Sequence, residues 1–310
     1  MTDSIETSDA ARRVLALLAG KWLTAAIAAA ATLGIPDALA DGPKSLERLA
    51  RERGCDPSAL ARLLRVLAGE ELVRECRPGE FELLEAGRLL KHDALGRLAR
   101  YVGSPLGWDP WSDLVHSVRT GESAFAKHHG RSLFEYLDHH PADAALYDGA
   151  IEAFAHREVI ALAETYDFSS ARRILDVGGG RGGLLVELLT RFPHLSGLLL
   201  ERPSAAREAR EAVARMGIAA RCEVVVGDFF SAVPEGADVC VLKHIVHSWD
   251  DETAIALLAR CARAVGANGR VLVVEGILMR DGRRNLTNML DLEMLVLCGP
   301  GRERTKPELR

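Results

Sequence analysis

Apolar residues recur at three- and four-residue spacing from Asp9 to Leu39 (Val14, Leu17, Leu18, Leu23, Ile27), and Gly34-Ile35-Pro36 interrupts the pattern. That periodicity predicts helix without strand. The Ala-rich run from Trp22 to Ile35 is shorter than the roughly 20 apolar residues a bilayer span requires, so a buried helix is expected there. Segments 45–50 and 56–67 predict two short helices joined by a turn at Gly54, and Leu72-Val73-Arg74 and Glu80-Phe81-Glu82-Leu83 predict two short strands about the turn Pro78-Gly79. This order of elements is that of a winged helix. Residues 101–168 read as helical and gather Trp108, Trp111, Phe125, Phe134, Tyr136 and Tyr147, side chains that can wall a ligand or simply pack a joint between domains.

After Ser169 the period changes from helical to short apolar runs: 173–177, 197–201, 222–226, 238–242 and 270–275, with helical segments around 183–192, 204–216 and 250–265. Strands alternating with helices predict a doubly wound, Rossmann-like α/β sheet whose ligand site lies at the carboxyl ends of the strands. With 310 residues the chain suits two cores. The expected organisation is a winged-helix domain at 1–100, a helical linker at 101–168 and the α/β domain at 169–310.

Charge narrows the partners. The net charge is -5, and residues 1–100 hold 15 Lys plus Arg against 15 Asp plus Glu, so the winged helix has no positive surplus to meet phosphates. A DNA-binding regulator is therefore less favoured than a protein-binding face, and small molecules are favoured over nucleic acid or membrane. The six cysteines, Cys55, Cys76, Cys222, Cys240, Cys261 and Cys298, are scattered, which fits neither a disulfide framework nor a zinc knuckle and favours a reducing cytoplasm. The polar, acidic stretch Met1 to Asp9 does not open like a secretory signal.

Candidate chemistry sits where the strands end. Asp176-Val177-Gly178-Gly179-Gly180-Arg181-Gly182-Gly183 joins the first of these strands to a helix, as in folds whose backbone approaches a nucleotide cofactor closely. Glu201 ends the second strand, where a carboxylate can accept from both hydroxyls of an adenosine ribose. Gly227-Asp228-Phe229-Phe230 ends the third, with Asp228 placed to accept from an adenine amino group and Phe229 to lie against its ring. Lys243-His244-Ile245-Val246-His247-Ser248-Trp249-Asp250-Asp251 ends the fourth. Ser248-x-x-Asp251 fits a capping box, leaving Ser248, Asp250 and Asp251 without a catalytic role. His247 precedes that helix, whose dipole disfavours imidazolium and keeps a neutral base available. His244, His247, Asp250 and Asp251 also offer metal-ligand types, but the histidines are three apart on an element changing from strand to helix, and a metal-free base fits better.

Taken in order, the winged-helix half, Leu175 to Gly180, Gly227 to Phe230, Lys243 to Asp251, Val274-Glu275-Gly276-Ile277-Leu278 and Gly301-Arg302-Glu303-Arg304-Thr305 resemble the caffeate/flavonoid-type O-methyltransferase family, whose bacterial members modify polyketides and other antibiotics. The resemblance implies S-adenosylmethionine as cofactor, bound by Gly178, Glu201, Asp228, Phe229 and Lys243. It implies His247 as base, flanked and oriented by Glu275 and Glu303, an acceptor pocket that includes Met294 and Ile151, and a homodimer formed through the N-terminal domain. Family members usually carry Asp where Glu201 stands, and the longer side chain still reaches a ribose. They also continue beyond the Glu-Arg-Thr block through a helix and two strands, so a sheet of five strands with an exposed edge, its C-terminal strands missing, is expected here.

The implied activity is methylation of a hydroxyl on a small aromatic or polyketide-type metabolite. A family member that has exchanged methyl transfer for hydroxylation is the first alternative. A nicotinamide dehydrogenase would share the Gly-rich loop but does not account for the Asp228 and His247 blocks.

Overall fold

The computed structural model describes residues 8–310; the expectation for Met1 to Asp9 lies almost wholly outside them. The chain forms two compact units, Met1–Trp108 and Asp109–Arg310.

In the first unit, α1 (Asp9–Thr32) starts where the Ser8 hydroxyl accepts from the Ala11 N–H. Helices α2 (Leu46–Arg53) and α3 (Pro57–Gly69) follow, each opened by a side-chain cap, Ser45 and Asp56. Strands β2 (Val73–Arg77) and β3 (Glu80–Leu83) pair antiparallel about Pro78-Gly79, and β1 (Lys44–Ser45), not expected from the sequence, adds to the other side of β3. Ile35, Leu39, Leu49, Leu64 and Leu67 are fully enclosed in the core of this unit. The winged-helix reading holds, and the run Trp22 to Ile35, expected as a buried helix, is buried at Ala28, Ala30, Ala31 and Ile35 but exposed at Trp22. Val14, Leu15, Leu17, Leu18 and Trp22 are 55 to 74% exposed, because the three-residue helical period presents apolar residues on a side that no element of this unit covers. By length and composition α1 could cross a membrane, as could an apolar helix that meets another protein surface.

In the second unit a parallel sheet takes the order β6-β5-β4-β7-β8, with β4 (Arg173–Val177), β5 (Ser196–Glu201), β6 (Cys222–Val226), β7 (Val239–Lys243) and β8 (Arg270–Val274). Helix α4 (Pro141–Thr165) precedes the sheet; α5 (Gly183–Arg191), α6 (Pro203–Arg215) and α7 (Asp251–Val265) provide crossovers, and α8 (Leu286–Cys298) follows β8. One core packs Leu184, Leu185, Leu188 and Leu189 of α5 with Ile174 and Leu199. The other packs Leu175, Leu198 and Leu242 with Leu257 and Cys261 of α7. Strands β4, β5 and β7 are buried on both faces, which is why they read as unbroken apolar runs rather than alternations. As expected, five strands form, and β8 lies at the edge. Since the chain leaves β4 for β5 on one side and returns to β7 on the other, the strand order reverses at the carboxyl tip of β4, where a crevice opens in folds of this kind.

Candidate active site

The tip of β4 carries a carboxyl group with no hydrogen-bond partner among the described residues. Asp176 is fully buried, and neither of its oxygens is satisfied by them. Burial pushes it up to about 7, against the pull of the Lys243 ammonium. It lies directly beneath the glycine turn: a Cβ on Gly179 would come within 2.0 Å of Asp176 Oδ2, and one on Gly178 within 2.5 Å of Ile245 Cδ1. Gly178 also has φ +67, a backbone conformation that glycine adopts without steric cost. The turn is thus a side-chain-free surface over an orphaned acid, the kind of surface a polar cofactor approaches along the backbone.

Glu201, at the tip of β5, reaches this turn. Its Oε2 accepts from the Gly180 N–H at 2.8 Å and its Oε1 from the Arg202 N–H at 2.7 Å. Burial raises its pKa, and these two N–H groups oppose the rise. Phe229, after β6, packs against Phe230 at 4.7 Å and stands 3.6 Å from the position of a Gly178 Cβ. Asp228 is placed differently from its neighbours. It is exposed, and its oxygens accept locally from the Phe230 N–H at 2.9 Å and the Ser231 hydroxyl at 2.8 Å. Lys243 ends β7 half-buried; burial lowers its ammonium, while Asp176, Glu158, Glu275 and Glu152 pull it back up.

Beyond Lys243 the chain makes a short turn of 3-10 helix, Val246–Ser248. Glu275, just past β8, organises it: its Oε1 accepts the backbone N–H groups of Ile245 at 3.0 Å, Val246 at 2.7 Å and His247 at 3.3 Å. Arg304 clamps the other side, donating to the carbonyls of Val246 at 3.0 Å and Trp249 at 2.8 Å and pairing with Asp251. The side chain of His247 is 10% exposed. Its Nδ1 lies 2.8 Å from Oε1 of the fully buried Glu303 and 3.4 Å from Oε2 of Glu275. An Nδ1–H donated to Glu303 leaves Nε2 as the proton acceptor of the ring.

Two sequence-based expectations about this segment are corrected. Asp250, not Ser248, caps α7, accepting from the Thr253 N–H at 2.8 Å; Ser248 belongs to the preceding turn, where its N–H donates to the Ile245 carbonyl at 3.2 Å, and Asp251 is taken by Arg302 and Arg304. Nor does a helix dipole hold the His247 pKa down. Burial does lower it, but the hydrogen bond to Glu303 and the negative charges of Glu275 and Glu303 outweigh burial and Lys243, and the net shift is upward.

Asp250 and Asp251 are therefore separated from the histidines in function. His244, His247 and Glu275 do have atoms within 4.8 Å of one another. Both ring nitrogens of His244 are directed at carboxylates, Nε2 at Glu158 and Nδ1 at Glu275, and His247 Nδ1 is directed at Glu303. The cluster reads as a hydrogen-bond network. His244 holds φ +55, uncommon for a residue with a Cβ and characteristic of functional turns.

Met294 is buried in α8 and Ile151 half-buried in α4. Sequence reasoning missed the orphaned state of Asp176, the clamp by Arg304 and the Glu158–His244 pair. The first two lie inside motifs already singled out, whereas Glu158 had no signal in an otherwise regular helix.

The O-methyltransferase domain family matches residues 111–310, and the O-methyltransferase dimerisation domain family matches residues 15–93. The chain is 38% identical over 305 residues to the mitomycin biosynthesis 6-O-methyltransferase of Streptomyces lavendulae, covering 94% of this chain and 84% of that one. The structure of LaPhzM superposes with a TM-score of 0.92 at 36% identity, covering 97% of this chain and 91% of that one. NcsB1, an O-methyltransferase from neocarzinostatin biosynthesis solved with S-adenosylmethionine and 2-hydroxy-5-methyl naphthoic acid, superposes with a TM-score of 0.75 at 35% identity over 92% of this chain and 87% of that one. The orphaned acid, the bare glycine turn and Glu201 suit such a cofactor. The chain belongs to the S-adenosylmethionine-dependent O-methyltransferase family.

Proposed function

We propose that this protein methylates a hydroxyl of a small aromatic or polyketide-type metabolite, with His247 as general base. The observation that carries the reading is the buried imidazole at the tip of β7, held through Nδ1 by Glu303 and beside Glu275. Gly178, Glu201, Phe229 and Lys243 would hold S-adenosylmethionine, with Glu201 toward the ribose hydroxyls and Phe229 toward the adenine. Asp228 would join them on release from its local turn. The cofactor supplies an electrophilic methyl group to an oxygen nucleophile.

The protein's own part is to align the acceptor and take its proton. His247 Nε2 accepts the hydroxyl proton while Glu303 and Glu275 stabilise the imidazolium that results. Base catalysis of this kind contributes about 10²–10⁴-fold. His247→Ala is expected to keep cofactor affinity by calorimetry and to lose turnover by a factor in that range. Near-normal turnover would remove the base, and acceptor conversion without formation of the demethylated cofactor would overturn methyl transfer in favour of hydroxylation.

We also propose a cytoplasmic homodimer in which the exposed face of α1, most of it within the matched dimerisation region, meets a second copy. Six free cysteines fit a reducing compartment.

A further inference from the structure

Arg202 follows Glu201 at the tip of β5, and its side chain meets groups from two elements. Its Nη1 donates to Asp138 Oδ1 at 2.7 Å, its guanidinium carbon lies 5.4 Å from the centre of the Phe134 ring, and its Nε stands 3.6 Å from Glu201 Oε1. Asp138 and Phe134 belong to the short helix Leu133–His139, which the buried Leu133 and Leu137 fix to the unit. Phe134 in turn stacks on Trp249 at 5.9 Å, and Trp249 meets Phe229 and Phe230 edge-on at 6.3 and 4.7 Å. One short helix thus joins the segments that follow β5, β6 and β7.

The carboxylate that Arg202 faces is 7% exposed. Each of its oxygens accepts one backbone N–H, from Gly180 and from Arg202, which leaves one acceptor direction on each oxygen. Two such directions match two neighbouring hydroxyls, and a protonated carboxyl would give one of them up. Arg202 is the one guanidinium within ion-pair distance of Glu201 among the described residues; Arg181, on the glycine turn, is taken by Glu208 at 2.9 Å and Glu152 at 3.5 Å. The other charged groups acting on Glu201 are acids: Asp138 from the short helix, Asp148 from α4 and Asp176 from β4.

Resting on the cofactor placement proposed above, we propose that Arg202, itself held by Asp138 and Phe134, is a positioning residue that fixes Glu201 so that both its oxygens accept from the ribose hydroxyls. The two members of the ion pair act on Glu201 in opposite senses. Arg202 favours its charged form and Asp138 disfavours it. A purely structural tie between the short helix and the tip of β5 would instead fail in the same way whichever member is removed.

The test is calorimetric titration with S-adenosylhomocysteine and with its 2′,3′-dideoxy analogue between about pH 5 and 9. The wild-type protein is expected to bind the dideoxy analogue about tenfold more weakly. In Arg202→Gln the Kd of S-adenosylhomocysteine should rise about fivefold while that of the analogue stays unchanged, so that discrimination shrinks to about twofold. The acid limb of binding should move to higher pH in this variant. In Asp138→Asn discrimination should persist and the limb should move to lower pH. Equal weakening of both ligands in Arg202→Gln, undiminished discrimination there, or limbs that move the same way in the two variants overturns the proposal and leaves Glu201 on the ribose. Discrimination below about twofold in the wild type removes Glu201 from the ribose, and the role of Arg202 with it.

Discussion

Replacing Glu303 by Gln removes a negative charge from the inner side of the catalytic imidazole while keeping an oxygen that can accept its Nδ1–H. The two groups lie 2.8 Å apart, with side chains 10% and 0% exposed. A buried charge-assisted hydrogen bond contributes about 1.5–3 kcal/mol. The loss removes the strongest of the interactions that raise the His247 pKa, so that pKa falls.

The sign follows from the wild-type arrangement. Glu303 and Glu275 raise the pKa of His247 against burial and Lys243. Wild-type kcat/KM should therefore fall on the acid side at a pH above the ordinary histidine value, as Nε2 becomes protonated and can no longer accept. In Glu303→Gln this limb moves to lower pH, and the plateau drops because the imidazolium formed in the reaction is less stabilised. Folding stability has the corresponding dependence: the contribution of His247 is fully present below its unfolded pKa of about 6.5 and is lost as pH rises through the higher folded value. Initial rates of demethylated-cofactor formation between pH 5 and 9, set beside an NMR titration of the imidazole, measure both. An acid limb that stays in place or moves upward would refute the assignment of Glu303 as the group that holds the base.

Three further outcomes are expected. Gly178→Ala places a Cβ 2.5 Å from Ile245 Cδ1 on a φ of +67, costing about 2 kcal/mol; Tm should fall by about 5 °C and cofactor affinity should weaken in calorimetry. Arg304→Ala leaves the carbonyls of Val246 and Trp249 unpaired, at about 2–3 kcal/mol, and should lower kcat more than cofactor affinity. Lys at the same position should not rescue it, having no planar fork to span those carbonyls and Asp251. Trp22→Asp places a charge on a side chain that is 74% exposed in the single chain and should turn dimers into monomers by light scattering, with the fold unchanged by circular dichroism.

What was legible in the sequence was whatever depends on near neighbours along the chain. Helical spacing, unbroken apolar strands and the turn at Pro78-Gly79 follow from local geometry, and the five strands form within about one residue of the positions read from pattern alone. Position at a strand tip was legible too, since parallel topology brings those tips together. Local reading failed where a distant group decides the outcome. Ser248 looks like a helix cap until Glu275, 27 positions on, draws its turn away. The neutral imidazole expected beside a helix start becomes one with a raised pKa once Glu303 closes on it across 56 positions. Trp111 and Glu293 meet across 182 positions, a pairing with no sequence signal. Helix α1 has the apolar period of a core helix, and only the arrangement of its unit leaves that side uncovered. Spacing encodes which residues share an element; the electrostatic character of a buried group depends on everything that surrounds it, and those neighbours are assembled by tertiary folding.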